Sequence, residues 1–136
     1  MTPEERKKLL EENRYCVVGY NRNEGPPALS PVYYVMDGDD ILISTQAGRA
    51  KGRVLARNPE VSVCILSEKH PSAPYITVYG RAKIEKEGAV DLMMRIGGVM
   101  TGSPVSEAVR PAIEKRAEEE GRVVLRISPE SYIGRD

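Results

Sequence analysis

The chain of 136 residues has no phenylalanine, no tryptophan, one histidine and two cysteines, and its twenty basic and twenty acidic side chains cancel. Each shortage removes a class of function. With no net positive field, neither nucleic acid nor an anionic membrane surface attracts the chain as a whole. The seven tyrosines, its only aromatics, build no stacking platform for single strands. One histidine, His70, next to Pro71 in a polar stretch, does not indicate a Ser-His-Asp or Cys-His arrangement. Cys16 and Cys64 are widely separated and each sits in an apolar run. That spacing is neither a disulfide framework nor a zinc knuckle, and a reduced cysteine in such a place acts as a small hydrophobe. The zincin, C-x-x-C, P-loop and G-x-G-x-x-G patterns are absent, and no metal-ligand set is expected. Asp37-Gly38-Asp39-Asp40 lacks the further spaced ligands of a calcium loop and reads as a hairpin turn. No apolar run approaches a membrane span, and the N-terminus has no signal-peptide pattern. The expectation is one cytoplasmic domain over residues 1–136. Any chemistry harder than acid-base work then falls to a bound cofactor.

What is present is a series of short β-type runs separated by turn residues. Thr2-Pro3-Glu4-Glu5 is a helix-start signature, and the helix ends near Asn13. Strands are expected at Tyr15–Tyr20, Ala28–Met36 and Ile41–Thr45, with Pro31 marking an edge or a bulge in the second. Further strands are expected at Val61–Ser67, Tyr75–Ile84 and Val123–Ile127, with a tail from Ser128 that adds an edge. In Tyr75–Ile84 the alternation sets Ile76, Val78, Gly80, Ala82 and Ile84 inward and Thr77, Tyr79, Arg81 and Lys83 outward. Gly80 leaves room there for a close backbone or a ligand. Helices are expected at Glu87–Met100, weakened by Gly97-Gly98, and at Ser106–Glu120, capped by Ser106 and stopped by Gly121. Six hairpin-linked strands with peripheral helices make a mainly β fold, an antiparallel barrel.

The chain is organised around Ser44 to Pro59. Arg49, Lys51, Arg53 and Arg57 are basic, and no acidic residue balances them within the stretch. A helix is expected from near Ala47, capped by Ser44 and Thr45, to Asn58 before Pro59. Its apolar face comprises Ala47, Ala50, Val54 and Leu55, with Lys51 projecting from the middle. A lysine on the core side of a helix start, beside backbone N–H groups and hydroxyls, calls for an anion, and phosphate is the first choice. The alternative is a solvated basic helix whose arginines meet acidic residues elsewhere.

Four blocks, in order, resemble the pyridoxamine 5'-phosphate oxidase-like split-barrel superfamily. They are Pro27–Tyr34, Ser44-Thr45 through Arg49-x-Lys51 to Arg57-Asn58-Pro59, Val78–Ala82, and Arg122–Pro129. The resemblance implies a six-stranded antiparallel split β-barrel that forms a homodimer with two cofactor sites at the subunit interface. It implies that Ser44, Thr45, Gln46, Arg49, Ala50 and Lys51 hold the phosphate and ribityl chain, while Ser30, Pro31, Val32 and Tyr33 run beside the ring. Tyr79 and Arg81 line the site or the dimer contact. The S-T-x-x-x-R-x-K form is most similar to the group that uses coenzyme F420, with FMN the alternative. Such proteins pass a hydride from reduced deazaflavin to an unsaturated or conjugated acceptor, with a proton from Tyr33, Tyr79 or solvent. A non-catalytic flavin or deazaflavin carrier or sensor is the third reading.

Overall fold

The computed structural model describes all 136 residues. One antiparallel sheet of seven strands curls into a split barrel, with four α-helices around it. In chain order the elements are α1 (Pro3–Glu12), β1 (Tyr15–Tyr20), β2 (Ala28–Tyr33), β3 (Val35–Asp37), β4 (Asp40–Gln46), α2 (Ala50–Arg57) and β5 (Glu60–Leu66). There follow β6 (Tyr75–Glu85), α3 (Ala89–Thr101), a 3-10 turn (Glu107–Val109), α4 (Arg110–Glu120) and β7 (Arg122–Arg135). Neighbours in the sheet run β2-β1-β5-β6-β7-β4-β3. No helix is long and apolar enough to cross a membrane.

The core follows from period-two burial. Val18, Ile41, Ile43, Val63, Ile65, Ile76, Val78, Leu125 and Ile127 have no exposed surface and fill the barrel. Leu9 and Leu10 of α1 close one side of it. A smaller cluster of Val35, Leu42, Leu92 and Val124 seats α3 on the outer face of β3, β4 and β7.

Where the structure departs from expectation, side-chain packing is the reason. Seven strands replace six, because Ala28–Met36 is divided at Tyr34. That ring turns into the core, its hydroxyl donates to the Leu10 carbonyl at 2.6 Å, and its N–H donates to the Arg14 carbonyl at 3.2 Å. Pro31 lies on an edge strand, where no ladder bond is lost. The tail continues β7, entering through a register shift opposite Tyr79 and Gly80. Gly80 faces inward as expected, and the room it leaves is taken by the Ser128–Pro129 backbone, which a Cβ would strike.

α1 carries the expected capping box between Thr2 and Glu5. α3 starts after Gly88, in the left-handed region at φ 84°, and runs unbroken through Gly97 and Gly98. Those glycines lie where a Cβ would press on Val105 or the Ser103 carbonyl, so they let the following segment fold back against the helix. The expected Ser106–Glu120 helix is two pieces: Ser106 caps only the 3-10 turn, and α4 begins at Arg110 with Pro111 in its first turn.

Candidate functional site: a basic handle beside the split

β4 ends the ordered part of the handle differently from expectation. Ser44, Thr45 and Gln46 are strand residues laddered to Val124, Val123 and Arg122 of β7, and so do not cap a helix. The Ala47 N–H donates to the Gly121 carbonyl at 3.0 Å, which keeps the chain extended past Gln46. α2 therefore starts only at Ala50, and Arg49 at the cap position accepts no bond through its side chain. Ala47 and Ala50, expected on its apolar face, are exposed, and Gly52 and Leu55 are the buried residues. Gly52 decides the geometry. A Cβ on it would lie 2.8 Å from the Gln46 carbonyl oxygen and 3.0 Å from the Ala47 Cα, so only glycine lets α2 seat on the strand end.

Arg49, Lys51, Arg53 and Arg57 have no carboxylate within 4.0 Å, a state shared by Arg6, Arg22, Arg81, Arg95 and Arg135; the handle differs in having four such cations within nine residues. The solvated-helix alternative required partners for these arginines, and the fold supplies none. Lys51 is half-buried. Burial pulls its ammonium below the ordinary lysine range; Cys16 opposes that shift, and the charge of Arg122 adds to it least of the three. The Cys16 thiol itself is pushed up to about 12, chiefly by burial, so it is neutral and offers Lys51 no counter-charge.

Ser30 Oγ and Ser44 Oγ are buried and bonded to nothing in the protein. Buried hydroxyls are almost always satisfied, and these two lie on opposite faces of the sheet, Ser30 on the inner face with Val18 and Ser44 on the face of Leu42 and Val35. The strands that carry them flank the split. The β3–β4 ladder stops at Val35 opposite Leu42, and beyond it the next same-face positions are Tyr33 on one side and Ser44 on the other. From there β4 pairs only with β7, and β2 only with β1.

The sequence candidates divide by face. Ser30 and Val32 sit opposite Val18 and Cys16 on the inner side, and Pro31 and Tyr33 sit opposite Val17 and Tyr15 on the outer side. Tyr33 is held by a network that sequence reasoning missed. Its hydroxyl donates to that of Tyr15 at 3.3 Å, and the rings lie 4.7 Å apart. The Arg14 guanidinium covers Tyr15 at 4.9 Å and is gripped by Glu68 at 2.8 and 3.1 Å. The bond to Tyr15 raises the Tyr33 phenol above its ordinary range, so it stays protonated. Tyr79 and Arg81 are not on the split. They lie on the outer face of β6, separated from β2 by β1 and β5 and from β4 by β7.

That outer face carries most of the exposed apolar side chains, with Ser62, Thr77, Arg81 and Lys83 among them. Tyr15, Val17, Leu29, Leu66, Tyr79 and Ile133, six of the eight exposed large hydrophobic residues, share one side of five adjacent strands. None of the five principal grooves of the molecule is lined by Ser44, Thr45, Arg49 or Lys51. Ala47 to Ala50 are exposed, whereas Ser44 and Lys51 are half-buried and Thr45 is buried.

The family model for pyridoxamine 5'-phosphate oxidase matches residues 2–135. The chain belongs to this family. Among solved structures, a conserved hypothetical protein from Mycobacterium tuberculosis superposes with a TM-score of 0.86 at 21% identity, over 100% of this chain and 85% of that one. An F420 reductase gives 0.77 at 21% identity, over 97% and 98%. An FAD-binding protein from Mesorhizobium loti gives 0.66 at 20% identity, over 98% and 92%. At these identities the likeness is one of fold. No curated protein matches the chain.

Proposed function

We propose that this family member is a homodimeric oxidoreductase that grips the phosphate end of coenzyme F420 on the Ser44–Lys51 handle, with FMN the alternative cofactor. The observation that carries the reading is the set of four basic side chains between Arg49 and Arg57 without a carboxylate partner. The orphan hydroxyl of Ser44, at the start of the handle, supports it. These donors fit a phosphate-bearing, hydroxyl-rich group, because oxyanions take charge-assisted bonds from ammonium and guanidinium. The S-T-x-x-x-R-x-K spacing favours F420, and a fold shared with an F420 reductase is in keeping with that.

In this reading Arg49 and Lys51 neutralise the phosphate, while Ser44, Thr45, Gln46 and Ala50 line its approach. Ser30 to Tyr33 edge the ring, with the Tyr33 phenol held by its bond to Tyr15. When bound, a reduced deazaflavin or flavin supplies a hydride to an unsaturated or conjugated small-molecule acceptor. The chain's own contribution is orientation and charge neutralisation. The exposed apolar side chains of the outer face and the exposed stretch from Ala47 to Ala50 support a second copy of the chain as the partner that covers both, with Tyr79 and Arg81 at that contact.

Titrating the purified protein with F420 and with FMN, read by absorbance, decides between the cofactors. Lys51→Ala is expected to weaken the bound one by ~1.5–3 kcal/mol without loss of fold. Unchanged affinity removes the phosphate clamp. Tight binding with no turnover against a panel of acceptors assigns a carrier or sensor instead.

A further inference from the structure

We propose that Tyr33 meets a planar ligand with the face of its ring rather than with its hydroxyl, and that Glu68, in the loop after β5, is the positioning residue that sets this ring through Arg14 and Tyr15. This deepens the reading of the split as the place of a flavin-type ring and rests on it. Tyr33 is the last residue of β2 and stands on a free edge of the sheet. The next position on the same face across the split is Ser44, whose hydroxyl has no protein partner. A ligand that reaches from the handle to the β2 edge on this face meets the Tyr33 ring.

On a strand edge a lone tyrosine would exchange rotamers, but this one is stacked. Tyr15 is its direct partner on the last rung of the β1–β2 ladder, with the ring centroids 4.7 Å apart and the planes 39° from parallel. The Tyr33 hydroxyl donates to the Tyr15 hydroxyl at 3.3 Å, so its proton is spent within the pair. The Arg14 guanidinium lies over the Tyr15 ring, 4.9 Å from its centroid. An arginine side chain is long, and by itself it would fix nothing. Glu68 removes that freedom. Its Oε1 accepts from Arg14 Nε and Nη2 at 3.1 and 2.8 Å, and its Oε2 accepts the Arg14 N–H at 2.7 Å. One carboxylate thus ties the guanidinium to the backbone of its own residue, at the point where β1 begins. Glu68 is anchored in turn by its N–H, which donates to Asn13 Oδ1 at 2.7 Å. The Arg14 carbonyl accepts the Tyr34 N–H at 3.2 Å, which joins the same junction to the chain just beyond Tyr33. Carboxylate, guanidinium, Tyr15 and Tyr33 form a series in which each member touches the next. Tyr33 ends it: no further ring or guanidinium lies against it, and its ring is partly exposed. A flat ligand ring continues the series.

F420 and FMN are titrated by calorimetry into wild type, Tyr33→Leu, Tyr33→Phe, Glu68→Gln, Lys51→Ala and the double variant of Tyr33→Leu with Glu68→Gln, with a urea midpoint recorded for each. Tyr33→Leu is expected to weaken the bound cofactor by about tenfold, the scale of one lost aromatic contact. Tyr33→Phe keeps the ring and loses only the bond that steadies it, so its loss is expected to be smaller, roughly threefold. Glu68→Gln is expected to weaken binding by roughly threefold in wild type and to add nothing beside Tyr33→Leu, because no ring is left to place. A merely structural tie would cost the same in both backgrounds. Arg14→Lys keeps the charge but gives up the fork and the flat face; it is expected to behave as Glu68→Gln does, and it stands in if that variant does not fold. Tyr33→Phe losing as much as Tyr33→Leu assigns the role to the hydroxyl and overturns the proposal. So does Glu68→Gln with wild-type affinity, or with a loss that persists beside Tyr33→Leu. Binding that Lys51→Ala weakens and Tyr33→Leu does not keeps the handle and removes Tyr33. A wild type that binds neither cofactor ends both readings.

Discussion

At Gly52 a single hydrogen atom in place of a side chain lets a helix sit on the end of a strand. Alanine is the better helix former by roughly 0.5–1 kcal/mol. Here its Cβ would meet two backbone atoms at 2.8 and 3.0 Å that cannot swing aside. Overpacking of that kind costs about 1–3 kcal/mol. Gly52→Ala is therefore expected to lower the urea midpoint despite its gain in propensity, and to weaken cofactor binding by displacing its neighbour Lys51. A variant as stable as wild type would show that α2 is free to move. Lys51 itself was legible in the sequence, as a charge on the core side of a helix. Gly52 carried a readable sign, a glycine inside a helical window.

The tie between α1, β1 and the loop after β5 works at the scale of elements. Asn13, at the end of α1, donates to the Leu9 carbonyl at 2.7 Å and accepts the Glu68 N–H at 2.7 Å. Glu68 in turn accepts from the Arg14 N–H at 2.7 Å as well as from its guanidinium. Burial works against the Glu68 charge, but the Arg14 bonds and charge outweigh it and hold the carboxyl below its ordinary range. A carboxyl depressed in the folded state contributes stability above its unfolded value, near pH 4, and loses it as pH falls through the folded one. Acid should therefore loosen this junction. The stability of wild type, followed by urea midpoints from pH 6 to pH 3, is expected to fall more steeply than that of Glu68→Gln; parallel curves would remove the tie. The near-ultraviolet dichroism of the Tyr15–Tyr33 pair is expected to change over the same range. Elements were legible wherever pattern and cap agree, as in α1 and β6. The division at Tyr34 was not, because a run of strand-forming residues gives no local sign that one ring will turn to reach the Leu10 carbonyl.

For the whole molecule the expectation is a dimer through the outer sheet face, where Val17 is 39%, Leu29 72% and Ile133 53% exposed in the single chain. Apolar surface gathered on one face in this way marks an interaction site. Light scattering is expected to give twice the chain mass for wild type. Leu29→Glu with Val17→Glu, both outward and away from the barrel core, should give a monomer with weakened cofactor binding. A wild-type monomer that binds cofactor tightly would overturn the shared-site reading. By itself the sequence determined the mainly β character, the hairpin turn at Asp37 to Asp40, the capped first helix and the unbalanced basic stretch. These rest on spacings of two to four residues, within which alternation, capping and charge act locally. Tertiary structure decided which strand edges stay open at the split, which hydroxyls are left unpartnered, and that the basic side chains find no acid. Those depend on register between strands far apart in the chain, and register is set by how side chains pack across the whole sheet.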